Sequence, residues 1–330
     1  FPLSRPTELT RLTDFDTHPV RFLSRADNGI LAFTYDGEIY TLRPGGEPRK
    51  ITVTAVSDDD TPVSRLGLKP GMATASPDGK MIAFVSRGDV FVTSADYATT
   101  YRVTRTPQAE YDPSWGSDSR TLYYASDRDG VRGIYKAELT RKEDPDFANA
   151  TGVKETRVFA DDAEYSTPVV SPDGKKLAYV KNRNEIWVRD LASGSDRQLT
   201  GGETYPGRDD GIVMVWSPDS RLMALEMVPA MHDPYTDIAV LDTETGTLTD
   251  ITRSAYFDAS PRFTHDGNAI VFLSERYGMR NHASWGSQFD VMMAFLNREA
   301  YDRSRLSEED LELLKESEKA DADQDKDADK

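Results

Sequence analysis

The chain has 330 residues, 38% of them hydrophobic and 29% charged, with no cysteine and a formal net charge of −17. That length buries a substantial core in one large or two smaller domains. The missing cysteines exclude a disulfide scaffold, a thiol nucleophile and a cysteine-bound zinc site. The acidic balance argues against nucleic acid, and no run of 18 apolar residues offers a membrane-spanning helix. Residues 308–330 hold eleven acids and four lysines, a net of −7, which leaves about −10 for the rest. Such a surface suits basic ligands, and more commonly serves solubility. The first residue is Phe1 with no basic-then-apolar leader, so either a signal peptide has been removed or the chain is a piece of something larger.

In chain order, Glu-Leu-Thr-Arg-Leu-Thr at 8–13 reads as the outer strand of a blade with no inner strands before it. Six copies of one unit follow. The fullest are Ser-Pro-Asp-Gly-Lys-Met-Ile-Ala-Phe at 76–84, its counterpart at 171–179 and Ser-Pro-Asp-Ser-Arg-Leu-Met-Ala-Leu at 217–225. Weaker copies lie at 25–33, 116–124 and 264–272. Their last positions, 33, 84, 124, 179, 225 and 272, are 51, 40, 55, 46 and 47 residues apart, close to a propeller blade period.

The fourth copy shows the chemistry of one unit. An apolar strand at 167–170 runs into a turn where Pro172 presets φ, Asp173 bonds the backbone ahead and Gly174 tolerates positive φ. Strands follow at 177–180 and 185–190, and Arg-Gln-Leu-Thr at 197–200 makes a short outer strand. The same ending recurs as Tyr-Arg-Val-Thr at 101–104 and Thr-Asp-Ile-Thr at 249–252. Four strands joined by tight turns make one blade. Breaks every few residues exclude a helical reading, and the 10% aromatic content excludes a structureless one.

The expected fold class is therefore all-β, a β-propeller over 1–303 with four-stranded antiparallel blades near 20–53, 72–104, 112–160, 167–200, 212–252 and 260–297. The sixth repeat stops after its inner strands. Either the strand at 8–13 completes it and closes a six-bladed ring, or a seventh blade follows beyond Lys330. In the 304–330 segment, Ser307 caps a short helix, Asp310 reaches back and Leu306 staples onto Leu311. That helix is expected to reach about Lys319, and the acidic repeat at 321–330 to be disordered.

Catalytic patterns are missing from the sequence. The nearest approach to Gly-x-Ser-x-Gly, Trp115-Gly116-Ser117-Asp118-Ser119, falls on a blade turn. There is no His-Glu-x-x-His and no phosphate loop. No catalytic residue, cofactor site or metal ligand is assigned. The candidate binding loop belongs to the sixth blade: Arg276, Arg280, Asn281, His282 and Trp285. Its arginines suit a peptide carboxylate; the competing role is to lock the blade to its neighbours. His232, Asp233 and Tyr235, in an extended loop of the fifth blade, form a weaker candidate beside the reading of a solvated loop. His18, before Pro19, and His265, in a turn, are read as turn residues. Asp58-Asp59-Asp60 and Asp127-Arg128-Asp129-Gly130 lack the spacing of a calcium loop and read as solvated. Trp115, Trp187 and Trp216 are expected in packing between blades.

The repeated Ser-Pro-Asp-Gly-Lys turn resembles the blades shared by the TolB propeller, the prolyl oligopeptidase propellers and the tricorn protease. Longer segments at 12–24, 35–41, 274–287 and 295–302 are similar to the second propeller of bacterial tricorn-like serine proteases. The resemblance covers nearly the whole chain apart from its tail. It implies a non-catalytic region of a serine peptidase of the tail-specific type, one that binds, gates or orients peptides or unfolded segments and supports assembly. Implied partners are downstream PDZ-like and peptidase domains and further copies in a homo-oligomer. The serine, histidine and glutamate machinery would lie beyond Lys330. Family propellers at this position also occur with seven blades. A periplasmic address is implied, with the cytoplasm as alternative. A free-standing TolB-like module that docks proteins is the second reading. An enzyme acting within the propeller is the third, and no nucleophile–base pair supports it.

Overall fold

The computed structural model describes residues 10–54, 71–202, 204, 212–229, 235–278 and 288–328. The chain divides into two compact units, Phe1–Leu66 and Gly67–Lys330.

The first unit holds one antiparallel sheet, β1 (Arg21–Arg25), β2 (Leu31–Tyr35), β3 (Glu38–Leu42) and β4 (Arg49–Ile51), in that spatial order. Asp36 and Gly37, both at positive φ, make the tight turn from β2 to β3. Phe15 stacks on Tyr35 with ring centroids 3.9 Å apart and meets Phe33 and Tyr40 edge-on. The strand expected at 8–13 is not formed over its described residues, 10–13. The Arg11 guanidinium donates to the carbonyls of Thr13 (2.7 Å) and Phe15 (3.1 Å), which ties this stretch to itself.

The second unit holds five sheets in chain order. They are β5 (Gly71–Ala75), β6 (Met81–Ser86), β7 (Asp89–Ser94) and β8 (Thr100–Arg102); β9 (Glu110–Trp115), β10 (Thr121–Ser126), β11 (Gly133–Leu139) and β12 (Val153–Arg157); β13 (Tyr165–Val170), β14 (Lys176–Lys181), β15 (Glu185–Asp190) and β16 (Asp196–Gln198); β17 (Val213–Trp216), β18 (Leu222–Met227), β19 (Asp237–Asp242) and β20 (Leu248–Asp250); and β21 (Asp258–Thr264), β22 (Ala269–Ser274) and β23 (Asp290–Phe295). First strands of successive sheets lie beside one another in the order β5, β9, β13, β17, β21. Each sequence repeat builds one antiparallel sheet, and the architecture is a β-propeller. The last sheet has three strands among the described residues, in keeping with a sixth repeat that stops after its inner strands.

The Ser-Pro-Asp-Gly turn works as its composition demands. The buried Ser171 hydroxyl donates to Asp173 (2.6 Å) and accepts the Lys176 N–H (2.9 Å), while Asp173 accepts the Lys175 N–H (3.0 Å). Ser76 and Ser217 repeat the pattern. Their hydroxyls hold the Asp78 and Asp219 carboxyls below the usual range, because a hydrogen bond favours the charged form. Where serine replaces the turn glycine, it stays at positive φ and reaches the preceding blade. Ser119 accepts the Asp78 N–H (3.3 Å), and Ser220 accepts the Asp173 N–H (3.0 Å). The recurring outer Thr also has a physical cause. Thr104, Thr200 and Thr252 each accept the N–H of the second residue of the neighbouring strand, Val90, Ile186 and Ile238, at 2.9–3.0 Å.

The core lies between successive blades. Val180, Ile186, Val188 and Leu199 of one blade pack with Met214, Trp216, Met223 and Leu225 of the next. Full burial of each such side chain is worth about 1.5–3 kcal/mol. Trp115 and Trp216 are buried between blades, and their indole N–H groups donate to the preceding blade at Thr74 (3.1 Å) and Val169 (3.0 Å). Trp187 is only half-buried.

Two helices follow. Asn297 caps α1 (Arg298–Ser304), a helix the sequence reading missed, by accepting the Ala300 N–H at 2.8 Å. Ser307 accepts the Asp310 N–H (3.1 Å) and donates to its carboxylate (2.7 Å), as the capping pattern requires. The helix it opens, α2 (Glu308–Ala328), runs past Lys319 and through residues expected to be disordered. Its sequence contains no Gly or Pro, and three acids favour its first turn.

Candidate functional site

The aromatic residue that ends most repeats marks an irregularity in the strand beside it. Opposite Phe33, Phe84, Tyr124, Tyr179 and Phe272 the first strand carries two residues where regular pairing has one: Phe22-Leu23, Met72-Ala73, Asp112-Pro113, Thr167-Pro168 and Ser260-Pro261. The first residue of each pair sits at φ between 49° and 56°. These are β-bulges, which bend a strand and re-aim a side chain. Proline suits the second place because it has no N–H to lose from the ladder. The fifth blade provides the contrast: Leu225 ends its repeat and pairs regularly with Met214.

A positive φ is costly for these residues, above all for β-branched Thr167, and such strain concentrates where function or assembly needs it. Part of the compensation is visible. Asp112 of the third blade accepts the Thr167 N–H of the fourth (3.2 Å), and Glu226 of the fifth accepts the Ser260 N–H of the sixth (3.0 Å). Because β5, β9 and β13 are neighbours, the second unit sets the bulges at Met72, Asp112 and Thr167 in a row, and the one at Ser260 lies beyond the regularly paired β17. Met72 is 54% exposed. The composition gave no warning of this row. The available signals were the aromatic end of five of the six repeats and the prolines three residues before three of the turns.

Of the loop residues singled out from sequence, Arg280, Asn281, His282 and Trp285 lie outside the described residues, as do His232 and Asp233. Arg276 is half-buried. Its N–H donates to Ser274 Oγ (3.2 Å) and its guanidinium to the Thr252 carbonyl of the fifth blade (3.4 Å). Tyr235 packs on Phe257 with centroids 5.0 Å apart, and the Phe257 carbonyl accepts the Glu275 N–H (3.0 Å). Tyr235 and Arg276 therefore meet one junction between the fifth and sixth blades.

The third blade carries the best-connected polar cluster, which sequence reasoning set aside as a solvated loop. Glu110 is fully buried and accepts from Thr104 (2.9 Å), Thr106 (2.8 Å), Ser126 (3.1 Å) and Arg128 (3.2 Å). Arg128 also pairs with Glu155 at 2.7 Å and lies over the Tyr135 ring at 4.3 Å. Burial opposes the Arg128 charge, but Tyr124, Glu155 and Glu110 outweigh it and raise its pKa. Burial and the hydrogen bond to Asp129 push the Tyr135 hydroxyl up to about 12. Asp127 accepts from Tyr111 and Arg132, both at 3.0 Å. These acids are committed to the fold by short polar contacts. The signal was legible: Ser-acid-Arg-x-Gly occurs at 126–130 and again at 274–278.

Ser117, of the near-miss serine pattern, lies on a blade turn against Gly174. His18 stands 3.5 Å from Asp36 on exposed surface, and exposed His265 packs beside Phe295. Among the described residues no group of three His, Cys, Asp or Glu side chains is arranged to hold a metal ion, and no helix is long and apolar enough to cross a membrane.

Comparison with known proteins agrees with this architecture. The chain is 24% identical over 277 residues to a tricorn protease homolog of Saccharolobus solfataricus, covering 82% of this chain and 23% of that protein. It is 28% identical over 171 residues to the Tol-Pal system protein TolB of Francisella tularensis, covering 49% of this chain and 34% of that protein. Among solved structures, TolB from Acinetobacter baumannii superposes with a TM-score of 0.51 at 20% identity, over 78% of this chain and 57% of that one. The chain thus spans about a quarter to a third of the length of these curated relatives. The model of the TolB β-propeller domain family matches residues 12–207 and 146–282, and the chain belongs to that family.

Proposed function

We propose that this chain is the non-catalytic propeller of a tricorn-like peptidase, and that it binds and orients extended peptides for a peptidase domain elsewhere in the protein. The row of bulged first strands is the observation that carries this reading. It re-aims Met72, Asp112 and Thr167 along three neighbouring first strands, with Ser260 beyond the regular fifth blade, and strain of this kind concentrates where function or assembly needs it. The match to a tricorn protease homolog over 82% of the chain supports it. On this reading downstream PDZ-like and peptidase domains act on what the propeller delivers, copies of the chain assemble together, and the protein works in the periplasm.

The test is retention and cleavage of a mixed peptide library by the purified chain, followed by mass spectrometry. Retention without new fragments is the expected result, weakened at least about tenfold by Met72→Glu, which puts a charge in place of an exposed apolar side chain on the strand next to that of Asp112. Cleavage that survives repurification refutes the non-catalytic reading. Retention indifferent to Met72→Glu refutes the surface. A TolB-like role in docking folded proteins is the second reading, favoured by the match to TolB over 49% of the chain. It predicts tight capture of a folded partner or of one short peptide segment, rather than retention of a broad set of peptides.

A further inference from the structure

The third and sixth blades carry the same loop pattern, Ser126-Asp127-Arg128-Asp129-Gly130 and Ser274-Glu275-Arg276-Tyr277-Gly278. Their surroundings correspond residue by residue. In the third blade the first strand opens on Glu110, paired with Ser126; in the sixth it opens on Asp258, paired with Ser274. Thr104 and Thr106 precede Glu110 as Thr252 and Ser254 precede Asp258. In both loops the arginine N–H donates to the serine hydroxyl, at 3.3 and 3.2 Å.

The outcome for the two acids differs. Glu110 Oε1 receives Thr106, Ser126 and the Arg128 guanidinium. Asp258 is 1% exposed; its Oδ2 receives Ser254 at 2.8 Å, and its Oδ1 has no hydrogen-bond partner among the described residues. A buried carboxylate oxygen without a donor is destabilising. Among the described residues the corresponding guanidinium, that of Arg276, makes only a long 3.4 Å contact, to the carbonyl of Thr252, six residues before Asp258. Aspartate is one methylene shorter than glutamate, so the guanidinium must come further in to meet it.

We propose that Asp258 Oδ1 is a seat for the Arg276 guanidinium, and that the sixth blade has two states. In the outer state Arg276 rests on the Thr252 carbonyl, as here, and part of its donor fork faces outward. In the inner state it sits on Asp258, as Arg128 sits on Glu110, and draws the 274–278 loop onto the 252–258 connection. The inner state satisfies the orphaned oxygen. The outer state frees donors that a ligand carboxylate can take. Arg276 is thus a positioning residue for this loop, whether or not peptides bind.

Asp258→Glu restores the reach of Glu110 and is expected to favour the inner state. The unfolding midpoint of this variant should rise by about 2–4 °C, and exchange of the Arg276 Nε–H with water should slow about tenfold. Both gains should vanish in Asp258→Glu/Arg276→Met, while Asp258→Glu/Arg276→Lys, which keeps a charge, should retain part of the midpoint gain. In the unsubstituted chain, nitrogen-15 relaxation dispersion at Arg276 Nε should detect exchange between two environments, abolished by Asp258→Asn. A midpoint gain that survives Arg276→Met, or Nε exchange unaffected by Asp258→Asn, overturns the proposal.

Discussion

Glu110→Ala tests how the third blade is held. The carboxylate is 0% exposed and accepts four hydrogen bonds, three from hydroxyls and one from a guanidinium. Removal leaves the Thr104, Thr106 and Ser126 hydroxyls without this acceptor and opens a small void. Arg128 keeps Glu155 at 2.7 Å, so its charge is not orphaned and the loss stays below the sum of the parts. A single hydrogen bond to a charged group contributes about 1.5–3 kcal/mol, and breaking a buried charge pair costs about 3–5 kcal/mol. The expected loss for Glu110→Ala is therefore about 3–5 kcal/mol, and about 10 °C in unfolding midpoint. Urea unfolding followed by tryptophan fluorescence measures it, since Trp115 packs in the same core cluster as Tyr124 and Tyr135. Glu110→Ala/Arg128→Met should lose less than the two single changes added together. A loss under about 1 kcal/mol, or strict additivity, would mean that the cluster does not act as a unit.

Two further predictions concern the turns. Gly174 and Gly79 hold the same place at φ +71, but a Cβ on Gly79 meets nothing, whereas one on Gly174 runs into Ser117 of the third blade. Gly79→Ala should cost about 1 kcal/mol from backbone strain alone, and Gly174→Ala clearly more, with partial rescue by Ser117→Gly; equal losses in thermal melts would contradict the close approach. The Arg221 guanidinium holds the Asp242 carboxyl at about 2. An unfolded aspartate titrates near 3.9, so this depressed folded value contributes stability that is present above about pH 4 and is lost as pH falls towards 2. Asp242→Asn should make acid unfolding over that range shallower, and an unchanged pH profile would remove Asp242 from the explanation.

The sequence alone determined the blades. A turn such as Ser171-Pro172-Asp173-Gly174 carries its own mechanism, so its recurrence reads directly as repeated hairpins, and alternation in Glu185–Asp190 places a strand. Chemistry of that kind is local, and the hydroxyl, the carboxylate and the positive φ lie within six residues. The cap at Ser307 was legible for the same reason. What the tertiary structure decided involves partners far apart in the chain. The bulges at Met72, Asp112, Thr167 and Ser260 exist only once a second strand is laid beside the first, and Asp112 meets Thr167 across 55 residues. The Glu110 cluster and the unfilled place at Asp258 depend on side-chain reach, which differs by one methylene between two corresponding loops. Residues 10–13 show the converse: a pattern matching an outer strand forms none there, and the Arg11 guanidinium binds the nearby Thr13 and Phe15 carbonyls. Pattern specifies which hairpins form. Pairing and packing specify where those hairpins are strained, which acids they bury, and hence where this propeller can act.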